Sequence, residues 1–303
     1  MADILTRAGS FIAIIFIGYF LRRKGFFKAS DFDVLSKIVV RITLPAAIIY
    51  NFSGMELDLS MLFVAVLGFS GGLLYMILGF LSGLRSEKNI RAFQILNLSG
   101  YNIGNFALPF TQSFLGPAGI ITTSLFDTGN AFICMGSSYA IASSVKGGKT
   151  RHLALRIFKT LFSSIPFDTY LVMIALCLLH LTLPQPVLTL AGIISNSNSF
   201  LAMLMIGVGF HLSGDRTQLP VIVRVLVLRY LTAALLSAAF YFLLPFRLEI
   251  RQALAILAFS PIASIVPAFT AELKEDVGLS SAINSMSIIL SILCMVTVMS
   301  LVL

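Results

Sequence analysis

Apolar runs of about twenty residues follow one another along almost the whole chain, and each is long enough to cross a bilayer as a helix. The 303 residues are 58% hydrophobic and 11% charged, a composition unlike that of a soluble domain of this length. The sequence therefore predicts an all-α polytopic membrane protein. We expect about ten spans. They are residues 4–21, 33–51, 60–82, 91–114, 118–144, 165–183, 186–211, 219–244, 251–272 and 278–302.

Positive charge is concentrated in alternate loops. Lys and Arg occur after the first, third and fifth spans, and the loops after the second, fourth and sixth spans have none. The positive-inside rule then predicts both termini outside, in a multi-pass protein of the plasma (inner) membrane. Arg247 and Arg251 on the outer side run against this pattern. The net charge of +8 reflects the basic loops and does not indicate a nucleic-acid partner.

Polar and helix-breaking residues interrupt the fourth span. Residues 97–109 hold three Asn, two Gly and one Pro inside an apolar run. Backbone groups freed by such a break are costly in lipid unless they face protein, water or a ligand. A break near the middle of a span is typical of a transporter's binding site. The alternative is a kinked helix whose Asn side chains bond to neighbouring helices.

The two halves of the chain appear as an inverted repeat. Residues 91–101 align with residues 251–261, 160 positions later, and each half has five predicted spans. An odd number of spans inserts the second half upside down. We expect a first repeat at 1–148, a linker at 149–164 and a second repeat at 165–303. The ninth span carries a matching break with two prolines, so spans four and nine should cross near the membrane centre.

The crossing is the predicted substrate site, because half-helix ends present bare N–H and C=O groups there. The candidate residues of the fourth span are Asn102, Gly104, Asn105 and Pro109, and those of the ninth are Ser260, Pro261, Ser264 and Pro267. Asn196 and Asn198 of the seventh span could line the substrate route, or could bond to other helices.

Asp127 is the acidic residue deepest inside a span. An ionised Asp at this depth costs at least ~2.5 kcal/mol, so it should be paired, protonated or facing water. It could carry a proton or bind Na⁺ as the coupling ion, with Asn130 one turn away on the same helix face. The alternative is a structural Asp held by amides of the fourth span. Arg229 is the deepest Arg, and an internal partner is favoured over a substrate role.

Two further patterns have more ordinary explanations. Residues 149–163 fit a basic amphipathic helix on the cytoplasmic surface, or a solvated linker. Gly68-Phe-Ser-Gly-Gly72 matches the nucleophile-elbow pattern, but Ser70 lies mid-helix, so close helix packing by the glycines is expected. We find no nucleophile and base set and no metal-ligand spacing. We therefore expect a protein that is not an enzyme and holds no cofactor beyond a coupling ion.

Asn102-Ile-Gly-Asn-Phe-Ala-Leu-Pro109, Gly116-Pro-Ala-Gly119 and Asp127-Thr-Gly-Asn130 resemble the prokaryotic branch of the auxin efflux carrier family, which includes malate and malonate permeases. The resemblance implies a fold similar to bile-acid symporters and sodium/proton antiporters. Spans 1, 2, 6 and 7 would form a scaffold, and spans 3–5 and 8–10 a transport domain that moves as an elevator. It also implies a homodimer. The chain departs from plant members in the ninth span, which has no matching Asn, and it lacks their long cytoplasmic loop.

These observations favour a secondary transporter for a small organic anion, such as a carboxylate, with proton or sodium coupling. A sodium/proton antiporter on the same fold is the alternative, although no second intramembrane acid or deep Lys is evident. An intramembrane enzyme or receptor-like scaffold is a third class, and it would not need matched breaks.

Overall fold

The computed structural model describes residues 2–28, 30–53, 55, 59–148, 153–210 and 216–303. Within these ranges the chain is helical and has no strand. The first half contains α1 (Ala2–Arg23), α2 (Asp31–Ile38), α3 (Leu44–Phe52), α4 (Phe63–Ser82), α5 (Lys88–Leu98), α6 (Leu108–Phe114), α7 (Pro117–Phe132) and α8 (Ser138–Val145). Three π-helical segments, Val39–Thr43, Ile103–Ala107 and Ile133–Ser137, lead into α3, α6 and α8.

The second half begins with a short connecting helix. It contains α9 (Leu153–Leu161), α10 (Ile165–Leu178), α11 (Gln185–Ser195), α12 (Asn198–Gly209), α13 (Leu219–Leu243), α14 (Leu248–Leu257), α15 (Val266–Glu272) and α16 (Val277–Val302). The described part of the predicted amphipathic linker is thus helical, with Leu155, Phe158 and Phe162 exposed. Residues 149–152 of that linker lie outside the described residues.

Helices occupy each of the ten predicted segments, and several segments are divided. Five helices of the described chain are long and apolar enough to cross a membrane by length and composition. They are Leu5–Arg23, Phe63–Ser82, Gln185–Gly209, Leu219–Leu243 and Val277–Val302. The seventh segment breaks at Asn196 and Ser197, where α11 ends and α12 begins, which the sequence did not predict. The ten-span topology and the inverted repeat stay predictions.

The helices pack in two groups. In the first, α1 lies against α12, and α3 lies between α10 and α11. In the second, α4 packs on α5 and α7, α13 packs on α14, and α16 packs on α14 and α15. The groups also touch each other, through α10 and α3 against α7 and through α1 against α16. The division into a scaffold and a transport domain stays a prediction from the family resemblance.

Small residues bring α4 and α7 into close contact. A Cβ on Gly68 would overlap the carbonyl of Phe126, and a Cβ on Gly129 would overlap the carbonyl of Ala65. A Cβ on Gly72 would lie 2.9 Å from the Ile133 side chain. The predicted role of these α4 glycines in close packing is confirmed, and this packing holds α7 firmly beside the interrupted fourth segment.

Candidate functional site

The fourth and ninth segments are both interrupted, and the interruptions touch. In the fourth, α5 ends at Leu98 and Gly100 has a φ of +71°, a left-handed conformation that favours glycine. In the ninth, helix is absent from residue 258 to residue 265, between α14 and α15. The Asn102 backbone N–H donates to the Pro261 carbonyl at 2.8 Å. The two breaks therefore form one crossing.

Arg229 of α13 holds the crossing from behind. Its side chain is 1% exposed and lies over the rings of Tyr75 and Tyr101, 4.5 and 5.2 Å from their centroids. Its guanidinium donates to four backbone carbonyls. The acceptors are Leu98 at 2.6 Å, Gly100 at 2.8 Å, Ser260 at 3.1 Å and Pro261 at 3.2 Å.

These carbonyls follow the C-terminal ends of α5 and α14. A helix C-terminus carries partial negative charge, and a cation there is favourable. A single Arg therefore satisfies the freed carbonyls of both interrupted segments, and it is fully used by the protein itself. This geometry favours the internal partner over a direct substrate role for Arg229.

Two asparagines on neighbouring helices bond to the broken backbone. Asn130 of α7 accepts from the Tyr101 N–H at 3.0 Å and donates to the Tyr101 carbonyl at 2.9 Å. Asn284 of α16 donates to the carbonyls of Ile262 and Ala263 at 3.0 and 3.2 Å. Each asparagine thus replaces helical hydrogen bonds that its break has lost.

Sequence reasoning missed Asn284 and its neighbour Ser287, whose hydroxyl accepts from the Ile262 N–H at 3.2 Å. A signal was present in the sequence. Ser280, Asn284, Ser287 and Ser291 recur at helical spacing inside an otherwise apolar run. Such a polar stripe on a predicted span indicates a face turned toward polar groups of the protein.

Asp127 lies directly beside the fourth-segment break. Its carboxylate accepts from Asn130 Nδ2 at 3.1 Å and from the Tyr170 hydroxyl at 3.2 Å. A Cβ on Gly104 would lie 3.2 Å from Asp127 Oδ2, so a glycine is needed at the point of approach. The predicted shared face of Asp127 and Asn130 is present. Both bonds come from neutral donors, so they do not neutralise an ionised carboxylate.

A cavity of about 610 Å³ opens in front of the crossing. Its lining includes Asn102, Gly104, Asn105, Asp127, Asn130 and Ser264. It also includes Arg41 of the π-helical segment before α3, and Thr160 and Ser163 at the end of α9. The cavity therefore reaches from the crossing toward the face that carries α9, which the charge pattern predicts to be cytoplasmic.

A second cavity, of about 280 Å³, borders the crossing on the side of α16, whereas the first borders it on the side of α7. Polar residues in its lining are Arg22, Asn102, Ser264, Ser281, Asn284 and Ser285. Phe32 of α2 borders both cavities, as do Asn102 and Ser264. The crossing therefore has a space on each of two sides.

Buried polar atoms at the crossing are left without partners in the described structure. Asn105 Nδ2 donates to Ser264 Oγ at 3.1 Å, but Asn105 Oδ1 has no bond. Asn102 is 5% exposed, and its Nδ2 also has no bond. An unsatisfied buried polar group costs about 1–3 kcal/mol. Asn102 therefore offers a ligand a donor, and Asn105 offers it an acceptor.

Several residues predicted for the substrate site lie elsewhere. Pro109 is the second residue of α6 and borders neither cavity. Asn198 is buried and accepts from Thr43 Oγ1 at 2.9 Å, so helix-to-helix bonding is its role, while Asn196 is exposed at the α11–α12 break. None of these three residues borders either cavity. Asn198 makes the helix-to-helix bond that the sequence left open as the alternative to a lining position.

The ninth-segment residues divide in the same way. Ser264 borders both cavities and Pro267 borders the second. Ser260 and Pro261 border neither, and they contribute their carbonyls to Arg229. Among the residues that the structure describes, no group of His, Cys, Asp and Glu is arranged to hold a metal ion.

Comparison with known families agrees with this architecture. Residues 10–155 match the model of the family described as membrane transport protein. That part of the chain belongs to this family. The match confirms the resemblance to auxin efflux carriers and covers both α5 and α7, which carry the first break and Asp127. The prokaryotic branch stays a prediction. No curated protein matches the chain. The first half of the chain is thus similar to a membrane transport protein family, and the described chain contains several apolar helices.

Proposed function

We propose that this membrane transport protein is a secondary transporter for a small organic anion of the carboxylate class, bound where the two interrupted segments cross. The observation that carries the proposal is Asn102, a buried residue of the crossing that borders both cavities and whose Nδ2 has no bond. A carboxylate oxygen accepts hydrogen bonds from such a donor. Binding would restore a bond that the free protein lacks.

Asp127 supports coupling to a cation. An ionised carboxylate beside the anion site would repel the substrate, so substrate binding is favoured when Asp127 is protonated or paired with Na⁺. Linkage requires the converse, that a bound anion strengthens binding of the proton or Na⁺ by the same factor. The substrate and the coupling ion would then travel together.

The two packing groups support elevator-type movement. The side-chain bonds that join them near the crossing are single contacts between individual residues. Gln112 of α6 donates to Ser195 Oγ at 3.1 Å, Ser199 donates to the Pro109 carbonyl at 3.2 Å, and Tyr170 of α10 donates to Asp127 of α7 at 3.2 Å. Within each group the helices pack through long faces. A rigid transport group could therefore slide along the scaffold with its bound substrate. Assembly as a homodimer through the scaffold remains a prediction from the family.

The first test is uptake of radiolabelled carboxylates into proteoliposomes by the wild type and by Asn102→Ala and Asn105→Ala variants. Loss of the Asn102 donor, at about 1.4 kcal/mol for one bond, predicts roughly tenfold weaker uptake by Asn102→Ala at low substrate concentration. Asn105→Ala tests the crossing itself, because it removes the Asn105–Ser264 bond between the two interrupted segments. Asn196→Ala, which alters an exposed amide outside both cavities, is the matched control. Unchanged uptake by both crossing variants, with melting temperatures like the wild type, would contradict the proposed site.

The second test concerns coupling. Asp127→Asn keeps the shape of the side chain and removes its charge, so carboxylate binding should persist while its dependence on pH or Na⁺ is lost. Asp33→Asn, at an exposed position on α2, is the control. Uptake should be measured across pH values with and without Na⁺. A variant whose pH and Na⁺ dependence equals that of the wild type would remove Asp127 from coupling.

A sodium/proton antiporter is the second candidate, and the position of Asp127 in an open cavity is the observation that favours it. This function requires no organic substrate. Proton release on addition of Na⁺, together with no carboxylate uptake by the wild type, would establish the antiporter in place of the anion transporter.

A further inference from the structure

We propose that the second cavity is the anion subsite, which binds the carboxylate of the transported compound, while the first cavity holds the coupling cation or proton at Asp127. This inference rests on the proposed function and divides its two ligands between the two sides of the crossing. It makes Arg22, at the end of α1, a residue that determines specificity for anions.

The two cavities are built from corresponding parts. Asn130 borders the first cavity and bonds to the fourth-segment break, and Asn284 borders the second and bonds to the ninth-segment break. The residue three positions before each asparagine, on the same helix, differs between the two cavities. This residue is Asp127 in the first cavity and Ser281 in the second. One side therefore carries a carboxylate where the other carries a hydroxyl.

The charges that border the cavities differ accordingly. The first cavity is bordered by Asp127 and Arg41, which have opposite charges. Among the described residues that border the second cavity, Arg22 alone is charged. Arg22 Nη1 donates to the carbonyls of Val208 and Phe210 at 2.7 and 3.4 Å. These acceptors are neutral, so they orient the guanidinium without cancelling its charge.

The second cavity also has donors and space for a carboxylate. Asn102, whose Nδ2 has no bond, is among the residues that border it. At ~30 Å³ for each water molecule, its 280 Å³ correspond to roughly nine waters, enough for a carboxylate of a few carbons. An anion placed here has the Arg22 cation and the Asn102 side chain in the wall around it, and Asp127 does not border this cavity.

The chain has no Trp, so a single introduced Trp reports from one cavity without background. Phe210→Trp places the reporter beside the second cavity, and Phe167→Trp places it beside the first. The purified full chain would be titrated with iodide, an anionic quencher, and with caesium, a cationic quencher. Quenching by neutral acrylamide corrects for differences in access.

After this correction, we expect iodide to quench the Phe210→Trp reporter at least twofold more strongly than the Phe167→Trp reporter, and caesium to show the opposite order. Adding Arg22→Gln to the Phe210→Trp reporter should remove its preference for iodide, and adding Arg22→Lys should retain that preference. Equal quenching of the two reporters by iodide, or an Arg22→Gln variant that keeps the preference, would overturn the assignment.

Succinate binding provides the second measurement, followed through its competition with iodide at the Phe210→Trp reporter. Ser281→Asp adds a carboxylate to the second cavity and should weaken succinate binding at least tenfold. Ser30→Asp adds the same charge at an exposed position outside both cavities and should leave succinate binding unchanged.

The two proposals fail in different ways. If no small carboxylate is transported but the iodide preference depends on Arg22, the proposed function fails and the anion cavity stands. If succinate is transported but Ser281→Asp and Arg22→Gln both bind it like the wild type, the proposed function stands and the subsite assignment is wrong.

Discussion

At the residue scale, one buried cation replaces the backbone bonds that two interrupted helices have lost. Arg229 donates to carbonyls on both sides of the crossing, and its charge opposes the negative ends of α5 and α14. Lys could supply the charge but presents three donors from one point, whereas the planar guanidinium presents five in a fixed fork. The geometry of the crossing therefore depends on Arg specifically.

Arg229→Met should destabilise the protein strongly, at a cost of about 3 kcal/mol or more. It leaves the carbonyls of Leu98, Gly100 and Ser260 without a donor, while the Pro261 carbonyl keeps the Asn102 N–H. Arg229→Lys should recover part of that loss. Arg224→Met is the matched control, because Arg224 is an exposed residue of the same helix with a bond to the Ser82 carbonyl. Melting temperature in detergent measures the effect. A stable Arg229→Met variant would show that the guanidinium does not hold the crossing.

At the element scale, the interruptions and the close contacts have separate causes. The π-helical segments Val39–Thr43 and Ile103–Ala107 each end two residues before a proline, Pro45 and Pro109. The wider turn precedes a residue that cannot donate a backbone bond. Pro109 therefore shapes the helix that follows the break, whereas Gly100 supplies the left-handed turn of the break itself.

Because α4 packs closely on α7, adding one methyl group at this contact should lower the stability of the protein strongly. Gly129→Ala would place Cβ against the Ala65 backbone, and backbone atoms cannot move aside as a flexible side chain can. Overpacking of this kind costs about 1–3 kcal/mol. Gly9→Ala is the control, because a Cβ there has nothing within 4 Å. The comparison is made by thermal unfolding. Equal melting temperatures for the two variants would contradict the close contact.

At the scale of the whole molecule, the arrangement into two groups predicts which pairs of helices move past each other. Gln112 and Ser195 bridge the groups, whereas Thr43 and Asn198 bond within the scaffold group. If transport requires sliding of one group, a link across the groups should stop it and a link within the scaffold should not.

A cross-linking experiment tests this movement. Cysteines would be introduced at Gln112 and Ser195, or at Thr43 and Asn198, in a chain whose three native cysteines are replaced by Ser. A short bifunctional methanethiosulfonate should block uptake by the first pair, reversibly with reductant, and spare the second. Full uptake by the cross-linked first pair would rule out elevator movement at this contact.

The sequence by itself determined the elements that depend on local chemistry. The apolar runs indicated a helical membrane protein, because a segment that crosses lipid must satisfy its backbone hydrogen bonds internally, as a helix does. Gly100 and the proline pair of the ninth span located both breaks, since these residues alter the backbone wherever they stand. The spacing of Asp127 and Asn130 placed them on one helix face.

Tertiary structure alone decided how the breaks are satisfied. A carbonyl freed by a break has no sequence signature, so the link from Arg229 to both breaks could not be predicted from either segment. The direction of a side chain depends on how its helix packs, which is why Asn198 bonds to Thr43 and lies outside the cavities. The second cavity arises only where α1, α12 and α16 converge beside the crossing, because a space between helices exists only after they have packed.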